Sequence, residues 1–198
     1  MNTNAFPDDE ELRSGESEGH EYVDLGLSVE WATCNIGAGS PTDYGDYYAW
    51  GETSTKANYE SKNSKTYKKI FDDISGNSQY DVARAKWGGN WRMPTNEELE
   101  ELGHNCKLEW TKYKSVWGYM LTSKKNGKKL FLPASGCRNE TSLNYAGENG
   151  YCWSSTPLEE FDNGTIGLGF SSGPPASWIC PAPQDIVHTS GAGFFNGC

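Results

Sequence analysis

Large aromatic rings and glycines crowd this chain together, and few folds accommodate both. Eight Trp, 11 Tyr and 7 Phe share 198 residues with 23 Gly and 9 Pro. Glycine and proline interrupt helices and strands. Long regular elements are therefore excluded from most of the sequence, and turns must be frequent. The rings compensate, because each fills core volume wherever the backbone brings it, and the same rings can furnish contact surfaces. The expectation is one irregular α+β domain rather than a helical bundle. At this length, with 35% apolar residues, the chain can bury a full core.

Charge narrows the choice of partners. The formal net charge is −10, and an acidic chain repels phosphate backbones, which argues against a nucleic-acid partner. No apolar run approaches the roughly 20 residues that span a bilayer, so membrane insertion is not expected. The opening MNTNAFPDDEELRSGESEG is acidic and poor in apolar residues, without the basic and apolar regions of a secretory signal. Residues 1–20 are expected to be a disordered leader or linker, and residues 21–198 a single domain.

Local patterns place the elements. Residues 21–25 and 29–35 carry β-branched and aromatic residues and are bounded by Gly, predicting two strands. YGDYYAWGE at 44–52 reads as an aromatic loop packed into the core, and 53–77 as a polar, exposed loop. YDVARAKW at 80–87 predicts a short helix. Thr95 caps a second helix, with Glu98 three residues later completing a capping box and acids filling the first turn. The pair Asn126-Gly127 between alternating segments at 117–122 and 128–133 predicts a hairpin. YCWSST (151–156) and TIGLGFS (165–171) predict two more strands.

Signatures of chemistry are sparse. His20, His104 and His188 have no partners in sequence, and there is no Gly-x-Ser-x-Gly elbow, phosphate loop or dinucleotide fingerprint. The acid pair Asp43/Asp46 and the cluster Glu159/Glu160/Asp162 lack the spaced oxygens of an EF-hand and read as solvated surface. The six cysteines (34, 106, 137, 152, 180, 198) form no Cys-x-x-Cys pair and sit at no metal-ligand spacing from a histidine, so buried free thiols are expected and no zinc site. Neither a catalytic residue nor a metal or other cofactor is expected.

Five blocks carry a family resemblance: DLGLSVEWATCNIGA (24–38), YGDYYAWGE (44–52), WGGNWRMPTNEELEEL (87–102), LFLPASGCRN (130–139) and GYCWSST (150–156). Together they resemble a bacterial domain abundant in Bacteroidetes and first named as a major paralogous family of a Fibrobacter. That family is similar to the C-type-lectin-like fold of the formylglycine-generating enzyme. The resemblance spans about residues 21–170. It implies a C-type-lectin-like α+β fold with a small twisted antiparallel sheet, a few helices and long loops. Trp31, Trp50, Trp91 and Trp153 would be core or loop anchors, and Arg92 would satisfy loop carbonyls or an acid. The chain departs from its relatives at the end, where Gly193-Phe194-Phe195-Asn196-Gly197-Cys198 lacks the Arg of their closing strand. It also lacks the Glu-Pro-Asn, Gln-Pro-Asp and Trp-Asn-Asp signatures of calcium-dependent sugar binding.

Several proteins of this kind are variable proteins of diversity-generating retroelements, in which the C-terminal part is rewritten at template adenines and displayed on one exposed face. A template AAC codon can never become Lys, Glu, Gln, Met or Trp. Residues 161–198 hold no Lys, Glu or Met, and only Trp178 and Gln184 fall outside the permitted set. The resemblance therefore implies a non-enzymatic display protein with a variable region at about 150–198. Its partner would be a protein or glycan receptor, and its setting a phage tail tip or a bacterial surface adhesin.

The ligand-binding positions expected on this basis are Cys152, Thr165, Gly167, Gly169, Ser171, Pro174, Pro175, Ser177, Trp178, Ile179, Asp185, Val187 and His188. Alternation turns Ile166, Leu168 and Phe170 toward the core and Thr165, Gly167, Gly169 and Ser171 outward. Glycine there fits either randomisation or the close approach of another backbone. A formylglycine-generating-like oxidase and an invariant surface module are the alternatives.

Overall fold

The computed structural model describes residues 9–67, 69–158, 164–172, 179–183 and 192–195. Two α-helices, α1 (Val82–Trp87) and α2 (Asn96–Asn105), accompany 13 short strands in this set. The architecture is α+β with several small antiparallel sheets rather than the one sheet expected.

The first sheet joins the two ends of the described chain. Its strands are β1 (Gly15–Ser17), β2 (His20–Val23), β3 (Glu30–Asn35), β4 (Trp91–Arg92) and β13 (Ala192–Phe195), in the order β1-β2-β3-β13-β4. β13 pairs Phe194 with both Trp31 and Arg92, so the closing strand forms although its Arg is missing. The second sheet is the meander β5 (Cys106–Tyr113), β6 (Val116–Ser123) and β7 (Lys129–Pro133). Strands β8 (Cys137–Asn139) and β9 (Ser142–Asn144) make a small hairpin. The last sheet contains β10 (Asn149–Leu158), β11 (Gly164–Ser171) and β12 (Ile179–Pro183) in that order.

Helix α2 forms as its sequence directs. Glu98 N–H donates to Thr95 Oγ1 at 3.4 Å, and Thr95 N–H donates to Glu98 Oε2 at 2.8 Å. Leu99 and Leu102 then bury one face, packing with Trp31, Leu121, Leu168 and Phe170 in the largest hydrophobic cluster. Arg92 holds this capping glutamate from outside. Its Nη1 donates to Glu98 Oε2 (2.8 Å), to Ser75 Oγ (3.1 Å) and to the Met93 carbonyl (3.1 Å). It thus meets both an acid and a carbonyl, the two roles expected for it. Trp31, Trp50, Trp91 and Trp153 are all buried, as core anchors should be.

Three sequence expectations need correction. Residues 9–20 are not a disordered leader. They form a 3-10 turn and β1, because Leu12 is buried with Tyr113, Met120 and Phe131, and Lys128 Nζ donates to the carbonyls of Glu10 (2.6 Å) and Arg13 (3.0 Å). One leucine among acids left no periodic signal. Strand β5 was not foreseen because it follows α2 without a turn, although Cys106, Leu108 and Trp110 alternate with polar residues. The loop at 53–77 is irregular as expected, but Tyr59, Thr66 and Ile74 within it are buried.

Asp81 pins three segments together. Fully buried, it caps α1 through Arg84 N–H (3.0 Å) and also accepts from Gly76 N–H (2.6 Å) and Met93 N–H (2.8 Å). Burial pushes its carboxyl above the usual range against the opposing pull of these amides. Asp81→Ala should destabilise the protein by about 3 kcal/mol or more, since three buried donors lose their acceptor. Urea unfolding followed by tryptophan fluorescence measures it, and a loss within error of zero would show that the amides find other acceptors.

Candidate functional site

The expected contact face falls on the β10–β12 sheet, and its register reassigns several positions. Tyr151 lies opposite Gly169, Trp153 opposite Gly167, and Phe170 opposite Gly150. Residues directly opposite in an antiparallel pair share a face, so each large ring stands across from a residue with no side chain. At Gly150 an added Cβ would lie 1.9 Å from a Phe170 ring carbon. At Gly167 it would lie 2.9 Å from the Cys152 carbonyl oxygen and 3.5 Å from the Trp153 ring. Close approach of backbone and rings therefore accounts for Gly167, and this glycine needs no randomisation to explain it.

Three expected contact residues are interior. Gly167 and Gly169 are buried rather than outward-facing. Cys152 is 3% exposed and belongs to the cluster that contains Leu99, Leu168 and Phe170. The alternation placed Leu168 and Phe170 correctly, but both faces of this sheet are covered at its centre: α2 and the main cluster lie on one side, and Trp153 packs with Trp50 and Met93 on the other. The side chains of Thr165, Ile166 and Ile179 lie outside the described residues, although Thr165 pairs with Pro157 and Ala182, and Ile179 with Leu168. Pro174, Pro175, Ser177, Trp178, Asp185, Val187 and His188 also lie outside them, as do Glu159, Glu160 and Asp162.

Ser171 does reach the surface, and residues that the sequence reading passed over surround it. It lies opposite Asn149, and Ser171 and Ser172 are both exposed. Asn149 Nδ2 donates to the Tyr151 hydroxyl at 2.7 Å. The loop before β10 is tied down by backbone bonds, Gly136 N–H to the Asn149 carbonyl (2.7 Å) and Asn149 N–H to the Tyr145 carbonyl (2.9 Å). Tyr145 itself takes φ 58° and is 58% exposed. A bulky aromatic in the left-handed region is strained, and such strain gathers at working surfaces. The available signal was the polar turn LNYAGENG between two strands. The rim formed by Tyr145, Asn149, Tyr151, Ser171 and Ser172 offers hydroxyl, amide and ring groups suited to non-covalent recognition.

The chemistry elsewhere is quiet. Cys34, Cys106, Cys137 and Cys152 are free thiols. Burial pushes Cys34 and Cys106 up to about 11 and raises Cys137. Thiols held protonated at neutral pH are poor nucleophiles. Among the described residues, no group of three His, Cys, Asp or Glu side chains could hold a metal ion. Asp43 and Asp46 are engaged locally, accepting from Gly39 N–H (3.2 Å) and the Tyr48 hydroxyl (3.2 Å). A crevice between Tyr48–Glu52, Val82, Met93 and Trp153 has room for about one water molecule. No known protein-family model, curated protein or solved structure matches the chain.

Two measurements check these placements. Gly167→Ala should destabilise by about 1–3 kcal/mol in urea unfolding, because the Cβ meets a backbone oxygen that cannot move freely; full tolerance would return Gly167 to the set of variable positions. In the native protein at pH 8, Cys106, Cys137 and Cys152 should resist alkylation by iodoacetamide and react only on unfolding. Rapid modification of any of them would contradict their burial.

Proposed function

We propose that this chain is a display protein: a C-type-lectin-like scaffold that presents its C-terminal segment to a protein or glycan receptor and carries out no chemistry on it. The setting that fits is a phage tail tip or a bacterial surface adhesin. The observation that supports the reading is the open rim at the Asn149–Ser171 end of the β10–β11 pair, beside which the compositionally skewed segment follows. Among the residues whose burial is described, four hydrophobic clusters form the scaffold up to Phe170. Immediately after Phe170 the backbone emerges at Ser171 and Ser172, both exposed. The stretch that follows is the one whose composition fits randomised AAC codons. Recognition would combine the Tyr145–Ser172 rim with this stretch, through ring contacts and hydrogen bonds, strengthened by avidity where several copies are displayed.

On this reading the packed positions would be excluded from diversification. Gly150, Cys152, Trp153, Gly167 and Gly169 are committed to packing, so diversified positions would begin at Ser171. The oxidase alternative needs an activated thiol pair, and among the described cysteines burial raises Cys34, Cys106 and Cys137 instead.

The test is made on DNA. The 3′ end of this gene, sequenced from many cells, should vary at codons from Ser171 onward and stay constant at 150, 152, 167 and 169. A near-copy of the segment with adenines at the varying positions should lie beside a reverse-transcriptase gene. A constant tail with no copy would leave an invariant surface module, and turnover of a peptide thiol by the purified protein would restore the oxidase.

A further inference from the structure

We infer a second binding site, on the β5–β6–β7 meander, for a carboxylate-bearing sugar chain, and nothing in its argument depends on the C-terminal segment. The first observation is charge. Residues 106–133 hold seven lysines against one acid, Glu109, and no arginine, while the whole chain carries −10. The meander is thus a basic island on an acidic molecule.

Some of these lysines have structural partners. Lys124 Nζ donates to the His104 carbonyl (2.7 Å), Lys128 holds the N-terminal segment, Lys129 pairs with Glu11 (2.5 Å), and Lys107 lies 3.5 Å from Glu109. Lys112 is different. It is exposed, stands directly opposite Trp117 across the hairpin, and holds its Nζ 5.0 Å from the Trp117 ring centroid.

The second observation is the aromatic surface beside it. Trp117 is 40% exposed. Its ring is parallel to that of Trp110 within 10°, with centroids 5.8 Å apart. Trp110 meets Tyr119 edge to face at 5.6 Å, and Tyr119 meets the buried Phe170 the same way at 5.3 Å. Exposed Trp117 is therefore the outer end of an aromatic row that runs through partly buried Trp110 into the core. The Trp117 carbonyl accepts from Ala134 N–H at 2.8 Å, which fixes the backbone beneath it. The platform is preformed, so binding would order little new structure.

Flat, parallel indoles beside a lysine match one ligand chemistry best. The apolar C–H face of a pyranose lies on an aromatic ring, and a uronic carboxylate meets an ammonium such as that of Lys112, which stands over the Trp117 ring. Phosphate recognition favours the bidentate arginine fork, and this meander has no arginine. A membrane anchor would put apolar groups at the hairpin tip, but the tip residues are Lys114 and Ser115, both exposed, and the rings lie along the sheet.

Titration of the whole chain with oligogalacturonate, followed by tryptophan fluorescence and calorimetry, tests the site. Saturable binding is expected, weakening as salt rises. Trp117→Ala should weaken it about tenfold or more, while Trp117→Phe keeps most of it. Lys112→Gln should weaken it several-fold and flatten the salt dependence. Circular dichroism should show all three variants folded, since both side chains are exposed. The double variant Ser171→Ala, Ser172→Ala should bind as the parent does, which separates this site from the C-terminal rim. The inference is overturned if oligogalacturonate does not bind, or if Trp117→Ala leaves binding unchanged. It is equally overturned if phosphatidylglycerol vesicles or oligothymidylate, rather than the sugar, bind in a Trp117-dependent way.

Discussion

Two tryptophans exchange hydrogen bonds across the middle of this protein, and much of its order depends on them. Trp50 Nε1 donates to the Ser154 carbonyl at 2.9 Å, and Trp153 Nε1 donates to the Tyr48 carbonyl at 3.1 Å. Indoles here do the work of a strand ladder. Residues 44–52 form no helix or strand, yet their buried backbone groups still need partners. The carbonyl of Tyr47 accepts from the Tyr59 hydroxyl (2.5 Å), and that of Trp50 from Thr66 Oγ1 (2.6 Å). Buried Glu52 accepts from Lys65 N–H (2.6 Å) and Lys56 Nζ (2.7 Å), which draws the polar loop in behind it. Polar handles on large side chains thus let irregular backbone be buried, and this accounts for a chain with so many aromatics and so little helix.

The clamp also fixes what the surface can do. It locks β10 against the aromatic loop, so the centre of the β10–β11 pair is packed on both faces, and among the described residues the end near Asn149 and Ser171 is open. On the meander, the row from Phe170 through Tyr119 and Trp110 to Trp117 runs the other way, carrying core rigidity outward to an exposed ring. The two surfaces differ in kind. One combines strained and polar groups beside a compositionally skewed segment, and the other is basic, flat and built from scaffold residues.

Elements with short-range causes were legible. The capping box at Thr95–Glu98, the helix after Asp81, the hairpin around Asn126-Gly127 and the strands near 30–35 and 165–171 arise from residues adjacent in sequence, and they formed as their local chemistry requires. β1 and β5 were not legible for opposite reasons. β1 is a three-residue strand paired with β2, and the turn before it is held from more than 100 residues away by Lys128 on the Glu10 carbonyl. β5 carries an alternating pattern but abuts a helix, with no turn to announce it. The candidate site was read one step too far, because Gly167 and Gly169 have two possible causes and sequence cannot separate them. Tyr145 and Asn149 looked like ordinary turn residues, since a positive φ on an exposed tyrosine is visible only in three dimensions.

By itself the sequence determined the class of fold, the capped helix, the core tryptophans and the overall acidity, because propensity, capping, periodicity and charge act over a few residues or over the whole composition. Only the tertiary structure decided that Gly167 in β11 stands across from the Trp153 ring, that Cys152 faces the core, that β13 completes the first sheet between β3 and β4, and that Lys112 stands over the exposed ring of Trp117. These are matters of which distant segments meet and in what register. A shift of one residue in that register would turn every side chain of a strand to the other face.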